Sequence, residues 1–372
     1  MTIGIDVNEA NVDRKVGISE YVFQLMRQFS HLASKDIDWQ VYLKNNPSKD
    51  FPEMSEKWEY KVFGPKKFWT QFALPLKLAL TNKKPDVFFS PGHYSPRFSR
   101  IPRVISIMDL AFHHFPEYFT TKDLAQLKSW TKYSILKADA IITISQATKD
   151  DILKLYGVKS EKVHVVYPGI KETLSLEPHI YPMKELENKF GITKKYLLFV
   201  GTLQPRKNIR RLIEAFSKVH IIDSDLQLVI VGRKGWKYEE ILSAPEEFGV
   251  KDSVAFLDFV KDEDLQMLYK GAQCFVWPSL YEGFGLPVLE AMQYGCPVIT
   301  SNISSLPEAG GDAAIYVDPE NVDDISEKIK KVLGDKELRE SMIKKGYQQV
   351  KKFSWEKAAK ETLEIIKEVV KK

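Results

Sequence analysis

The chain has 372 residues, 44% of them hydrophobic and 28% charged, with a formal net charge of +4. That length holds two ordinary α/β domains with sizeable cores, and the composition is that of a globular protein rather than a disordered one. No apolar run approaches the ~18–20 residues that span a bilayer, the two cysteines, Cys274 and Cys296, sit in the apolar contexts of buried reduced thiols, and no CxxC, HExxH or clustered His/Cys spacing points to a metal.

Read in chain order, short β-rich runs alternate with helical periods, the pattern of βα units building parallel sheets. Strands are expected at Ile3–Val7, Trp39–Leu43, Val87–Ser90, Val104–Ile107, Ala140–Ile144 and Val163–Val166. The first of these stands where a signal peptide would need a basic and then an apolar region, so a cytoplasmic protein is expected. Helices fit between the strands. One runs from about Ser19 to Leu32, with Val22, Leu25, Met26 and Phe29 at i, i+3, i+4 and i+7. Others cover about Trp69–Leu80, Lys122–Lys137 and Gln146–Tyr156. The loop Lys15–Tyr21 carries Gly17, which allows a phosphate to approach the backbone at the helix start, and Ser19 as a capping residue; a plain strand-to-helix turn is the other reading.

The positive charge is concentrated in residues 51–100, which hold nine Lys/Arg and four Asp/Glu. No nucleic-acid-binding motif accompanies it, so no nucleic-acid partner is expected. Lys66-Lys67-Phe68-Trp69 opens an amphipathic stretch that ends near Lys83-Lys84. Segment 66–84 reads either as the solvated rim of an ordinary helix or as a peripheral contact with an anionic membrane face.

Residues 171–190 are rich in Pro, Glu and Tyr, show no clear period and read as an interdomain linker between domains at 1–170 and 191–353. A second βα series follows, with strands at Tyr196–Val200, Leu226–Val231, Val254–Leu257, Cys274–Val276, Pro297–Thr300 and Ala314–Val317. A last amphipathic helix starts after Ser354, a good N-cap, with Trp355, Ala358, Ala359, Leu363, Ile366 and Val370 on one face. The fold class is therefore α/β, with two Rossmann-like parallel-sheet domains, and open sheets of this kind bind ligands at the carboxyl ends of their strands.

Two constellations at that edge carry chemistry. In Tyr281-Glu282-Gly283-Phe284-Gly285-Leu286-Pro287-Val288-Leu289-Glu290 the glycines suit a tight loop and Pro287 the first turn of a helix. Glu282 then lies on the loop and Glu290 about one turn into the helix, around amides that form a ready phosphate site. In Gly201-Thr202-Leu203-Gln204-Pro205-Arg206-Lys207-Asn208, directly after the first strand of the second domain, Arg206 offers a planar fork and Lys207 a movable point charge. Together they predict a site for a phosphorylated, hydroxyl-rich ligand. Gly232-Arg233-Lys234-Gly235-Trp236 follows another strand, with Lys234 either reaching phosphate or lying in a connection that Trp236 packs down.

These runs, with Ile142–Lys149 and Ser305–Ala313, resemble the retaining glycosyltransferases of family 4 over nearly the whole chain; Glu282 and Glu290 fit that family's Glu-x7-Glu signature. The resemblance implies a GT-B fold, with the acceptor largely in the N-terminal domain, the nucleotide-sugar donor in the C-terminal one, and helix 354–372 packing back on the first. By resemblance Glu290 would bind the donor ribose, while Glu282 would lie by the transferred sugar and favour cationic character at its anomeric carbon. Arg206 and Lys207 would hold the diphosphate, helped by Gly201, Gly17 and amides around Phe284, Gly285 and Leu286. The implied co-substrate is a nucleotide-diphosphate sugar, with no other cofactor and no metal. The acceptor would be a glycan or lipid-linked hydroxyl, and the enzyme would be cytoplasmic or peripheral at the inner membrane face. The wording Gly-Arg-Lys-Gly-Trp and Asp-Leu-Ala-Phe is similar to that of mannosyltransferases, which makes GDP-mannose the expected donor.

One departure stands out. Where the family commonly has His-Asp-Leu, with the His reaching the transferred sugar, this chain has Met108-Asp109-Leu110. Either Asp109 and backbone groups suffice because the donor phosphate acts as base, or His113 or His114 stands in, or activity is altered or lost. The rivals are a catalytically impaired sugar-nucleotide-binding protein and a nucleotide-sugar epimerase of the same architecture. A dinucleotide oxidoreductase lacks its fingerprint, since Val288 stands where GxGxxG needs its third glycine.

Overall fold

In a computed structural model of the chain, which describes residues 1–32, 36–171 and 183–371, two wholly parallel sheets form two compact units. The first unit comprises Met1–Gly169 and Phe353–Lys372, the second Ile170–Lys352.

The first sheet holds β1 (Thr2–Asp6), β2 (Asp38–Leu43), β3 (Trp58–Val62), β4 (Val87–Ser90), β5 (Arg103–Ile107), β6 (Ala140–Thr143) and β7 (Val163–Val165). Their order is β3-β2-β1-β4-β5-β6-β7, stepping outward from β1 in both directions, the doubly wound arrangement. The central strands are buried along their whole length because helices cover both faces, which is why they read as unbroken apolar runs. Six of these strands match the expected ones to within a residue at their ends, with Val163–Val165 closing the far edge.

β3 was not expected from the sequence. It is an edge strand in which Trp58, Tyr60 and Val62 alternate with Glu59 and Lys61, and those charges blend into the basic segment around it. Trp58 anchors it by packing on Trp39 at 5.6 Å, and Trp39 in turn stacks on Phe29 at 4.7 Å.

The stretch Trp69–Leu80 also differs from a plain helix. Its first turn, Trp69–Ala73, is a wider π-helical turn, and only Leu74–Leu80 is α-helical. Pro75 explains the change: it has no N–H for the carbonyl four residues back, and its ring crowds that carbonyl, so the turn before it widens. Leu74 and Leu78 are buried, whereas Phe68, Phe72, Leu76 and Leu80, four residues apart in succession, are each more than half exposed. Lys66, Lys67, Lys77, Lys83 and Lys84 are exposed around them.

The second sheet holds β8 (Lys195–Val200), β9 (Leu226–Val231), β10 (Val254–Leu257), β11 (Cys274–Trp277), β12 (Val298–Ser301) and β13 (Ala314–Val317), in the order β10-β9-β8-β11-β12-β13. Cys274 and Cys296 are buried free thiols. The expected linker needs correction. Residues 172–182 lie outside the described residues, but Met183–Phe190 is a helix of the second unit whose Leu186 is buried. The spacing of Leu186 and Phe190 is helical, a signal hidden by the proline-rich run before it. Lys171 also belongs to this unit, accepting a hydrogen bond from Gln293 at 2.8 Å on its carbonyl.

The closing helix, Trp355–Lys371, belongs to the first unit. The Ser354 hydroxyl accepts the Lys357 amide at 3.1 Å, the N-cap expected for it. Trp355 meets Tyr21 edge-on at 5.9 Å, and Ala358, Ala359, Leu363 and Ile366 are buried, with Val369 rather than Val370 completing the face. This helix starts against the chain leaving β7: a Cβ on Gly169 would lie 2.1 Å from the Trp355 nitrogen. Gly169→Ala is therefore expected to destabilise the first unit by ~1–3 kcal/mol, read by denaturant titration, and to speed amide exchange in the closing helix; an unchanged midpoint would contradict this packing.

Candidate active site

The site is assembled at the carboxyl edge of the second sheet. β8 and β11 are neighbours, with Leu197 opposite Cys274, so the loops that leave them meet. After β8, Gly201 donates its amide to the Val231 carbonyl at 2.8 Å. Pro205–Lys207 then makes a single 3-10 turn, and Asn208, left-handed at φ 60°, leads into the helix Ile209–His220. Asn tolerates that conformation better than most side chains. Its Nδ2 ties the turn down by donating to the Pro278 and Pro319 carbonyls at 2.9 and 2.6 Å. The Leu280 amide and Ser279 hydroxyl both donate to the Arg206 carbonyl, at 2.9 and 3.0 Å. The two cations thus sit on a turn of their own, ahead of the helix.

Glu282 lies between them, only 7% exposed. Its Oε1 accepts from Lys207 Nζ at 2.6 Å, Ser279 Oγ at 2.6 Å and Trp277 Nε1 at 3.1 Å, and its Oε2 faces Arg206 Nη1 at 3.2 Å. Arg206 also donates to the Tyr281 carbonyl, and Lys207 Nζ lies 4.8 Å from the centroid of the Trp277 ring. Burial pushes the Glu282 carboxyl up, but the charges of Lys207 and Arg206 and the hydrogen bonds outweigh it and hold the group at about 2. The carboxylate is ionised, and the three side chains together keep one positive charge. The sequence reading gave acid and cations separate tasks; the fold joins them in one cluster. Trp277 and Ser279 were missed, although their place at the end of β11 was a signal.

The Glu282 carbonyl accepts from Ser304 and Ser305 at 2.6 and 2.8 Å. Beyond Phe284, which is buried, Gly285 takes φ 106° and starts the helix Leu286–Gln293. That angle suits glycine, and a Cβ there would also lie 2.8 Å from Leu306 Cδ2. Glu290 stands just over one turn inside the helix. The Tyr269 hydroxyl donates to its Oε2 at 3.3 Å, and Tyr269 stacks on Tyr294. Burial, and then Glu290 itself, push the Tyr269 phenol well up, so it stays a donor. The run after β9 lies alongside the loop after β8: the Gly235 amide donates to the Leu203 carbonyl at 2.9 Å. Lys234 Nζ sits over the Tyr238 ring at 5.3 Å, and Trp236 is 43% exposed.

At the carboxyl edge of the first sheet, Gly17 precedes the helix Ile18–His31 with φ 55°. Ser19 does not cap it; its hydroxyl donates to the Val16 carbonyl at 2.8 Å. Asp109 accepts the Ala111 amide at 3.0 Å. His113 and His114 are engaged elsewhere, with Tyr156 at 2.8 Å and Asp151 at 2.9 Å on the helix Gln146–Tyr156, which removes them as stand-ins for the missing histidine. The Met108 amide instead donates to His93 Nε2 at 2.9 Å, a neighbour that no sequence signal revealed. Among the described residues no group of three or more His, Cys, Asp or Glu side chains is gathered that could hold a metal, and no helix is long and apolar enough to cross a membrane.

Comparison with known proteins agrees with this architecture. Residues 17–174 match the family described as Glycosyltransferase Family 4, and residues 183–349 the one described as Glycosyl transferases group 1. Over 298 residues, 78% of this chain and 76% of its relative, the sequence is 33% identical to O-antigen chain mannosyltransferase B of Escherichia coli. Among solved structures it is similar to sucrose-phosphate synthase of Thermosynechococcus elongatus (TM-score 0.74, 19% identity, 99% of this chain and 98% of that one). It is likewise similar to HepE of Anabaena in complex with UDP-glucose (TM-score 0.74, 16% identity, 99% and 100%). At those identities the likeness is one of fold, GT-B.

The depressed Glu282 group sets a pH window. Its folded value of about 2 lies below the ordinary 4.5, so its stabilisation is complete above pH 4.5 and is lost as pH falls towards 2. Glu282→Gln is expected to flatten that part of the acid-unfolding profile. At pH 7 it should cost roughly 3–5 kcal/mol, because buried Lys207 and partly buried Arg206 lose their counter-charge. Denaturant titrations from pH 2 to 7 measure both, and a variant curve parallel to the wild type would refute the assignment.

Proposed function

Because the chain belongs to the family 4, group 1 glycosyltransferases, we propose that it moves a hexose from a nucleotide-diphosphate sugar to a hydroxyl of a glycan or lipid-linked acceptor, with retention at the anomeric carbon. The single observation that carries this reading is the Arg206–Glu282–Lys207 cluster. It is a preorganised, mostly buried site with one positive charge to spare, next to a helix start with amides to offer. Mannose is the sugar to expect, since the relative covering most of the chain is a mannosyltransferase, and GDP-mannose is the donor to test first. The family matches and the mannosyltransferase relative favour transfer over the epimerase and non-catalytic readings.

In this mechanism the C1–O bond to the diphosphate breaks and positive charge develops at C1. Arg206 and Lys207 stabilise the departing diphosphate, and amides around Phe284–Leu286 add neutral donors. Glu282 holds both cations in place, and its Oε2, engaged by fewer donors than Oε1, faces the developing charge. The acceptor hydroxyl attacks from the side the diphosphate leaves, and its proton goes to the departing phosphate oxygen. Glu290 takes the ribose diol, which a carboxylate can accept in two hydrogen bonds. In the first unit, Gly17 at the N-terminus of the helix Ile18–His31 is suited to an anion and Asp109 to hydroxyls.

The exposed apolar row Phe68, Phe72, Leu76 and Leu80, ringed by lysines, suits the surface of an anionic bilayer. Apolar side chains enter the acyl boundary while the lysines meet headgroups.

Two measurements test these assignments. Thermal-shift screening of GDP-, UDP-, dTDP- and ADP-sugars should single out one base, and Glu290→Ala should then lower donor kcat/KM by ~10–100-fold, the loss of hydrogen bonds to a charged group, with the melting temperature kept. Full activity in that variant would sink the ribose assignment. Co-sedimentation with phosphatidylglycerol vesicles should fall several-fold in Phe72→Glu/Leu76→Glu while turnover of a soluble acceptor is unchanged; equal sedimentation would remove the membrane contact.

A further inference from the structure

The family resemblance leads one to look for an imidazole at position 108, where this chain has a methionine. An imidazole nevertheless stands beside that position. β4 and β5 pair in parallel with Phe88 opposite Arg103, Phe89 opposite Val104 and Ser90 opposite Ile105. Past the strand ends the two chains stay side by side but slip by one residue: the Phe88 amide donates to the Pro102 carbonyl at 2.8 Å, whereas the His93 amide donates to the Ser106 carbonyl at 3.2 Å, which sets His93 level with Ile107. From there its ring reaches the next residue, and the Met108 amide donates to His93 Nε2 at 2.9 Å. We propose that His93 supplies, from the neighbouring strand, the sugar-binding imidazole that position 108 lacks, donating a hydrogen bond from Nδ1 to a sugar hydroxyl at the carboxyl edge of the first sheet. This rests on the glycosyltransferase reading above.

The tautomer follows from the geometry. An amide that donates to Nε2 requires a lone pair there, so the ring is neutral and its proton sits on Nδ1. Burial lowers the basicity of this ring, the Asp109 carboxylate opposes that, and burial prevails. The ring thus persists as a neutral donor, suited to binding a hydroxyl.

Position 108 itself supplies no side-chain donor. Its thioether is at most a weak acceptor, and the residue is only 9% exposed. What it offers is a fixed backbone: its amide goes to His93 and its carbonyl accepts the Thr148 hydroxyl at 3.3 Å. Asp109 is steadied in turn by the Ala111 amide. His93 has φ 66°, a left-handed conformation that is unfavourable for a non-glycine residue and persists only where the surroundings demand it. Its bonds to Ser106 and Met108 help to hold the ring there.

The competing account is structural: His93 is there only to accept the Met108 amide. Two substitutions separate the accounts because each keeps one end of the ring. Gln at 93 places a carbonyl oxygen near the Nε2 position, where it can still accept the amide, but has no donor at the Nδ1 position. Asn has a donor near Nδ1 and is too short to reach the amide. His93→Gln is expected to lower kcat by ~10–100-fold with melting temperature and nucleotide affinity close to wild type. His93→Asn should keep most of kcat and melt earlier. Adding Met108→His to His93→Ala should restore a large part of the turnover that His93→Ala loses. Wild-type kcat in His93→Gln would overturn the proposal, as would equal loss in Gln and Asn variants with no rescue from position 108. The two readings fail differently: absence of turnover in the wild type with every nucleotide-sugar counts against the glycosyltransferase assignment, whereas the ratios among variants judge His93.

Discussion

A carboxylate removed from water must be matched by charge and hydrogen bonds, and the Glu282 carboxylate imposes that demand on the whole second unit. Its partners come from segments far apart in sequence: Arg206 and Lys207 after β8, Trp277 at the end of β11, and Ser279 in the loop that follows. Each partner must itself be held. The Arg206 carbonyl is fastened by Ser279 and Leu280, Asn208 bridges to Pro278 and Pro319, and the Ser301 hydroxyl at the end of β12 donates to the Ser279 carbonyl at 2.7 Å. The ends of three adjacent strands are thereby stitched together. The result is a charged cradle whose geometry is set before any ligand arrives, which limits the reorganisation left for binding.

The two sheets use the same topology for different chemistry. The edge of the second collects charge: two cations, a low-lying carboxyl and the start of a helix, all suited to phosphate. The edge of the first collects neutral or singly charged hydrogen-bonding groups, with His93 and Asp109 on consecutive strand extensions and Gly17 at a helix start.

Local pattern was enough wherever a strand is buried on both faces or a helix has one apolar stripe. It failed where neighbours override the local signal. β3 is an edge strand with charges on alternate residues, so nothing in its composition separates it from the basic segment. The helix Met183–Phe190 was concealed by the prolines before it. The π turn at Trp69–Ala73 depends on how one proline ring meets a carbonyl in space. Ser19 looked like a cap, yet the chain bends so that Gly17 fills that position.

For the candidate site, the residues Glu282, Glu290, Arg206 and Lys207 were legible because glycines, a proline and a strand end fix where their side chains emerge. Those are local constraints, written within about ten residues. That Glu282 neutralises one of the two cations, that Trp277 and Ser279 complete its shell, that His113 and His114 are tied to Tyr156 and Asp151, and that the His93 ring takes the Met108 amide were decided only by tertiary structure. The physical reason is register. Parallel strands bring together residues separated by a crossover, and the hydrogen bonds between 206 and 282, or between 93 and 108, exist only once those strands are paired side by side.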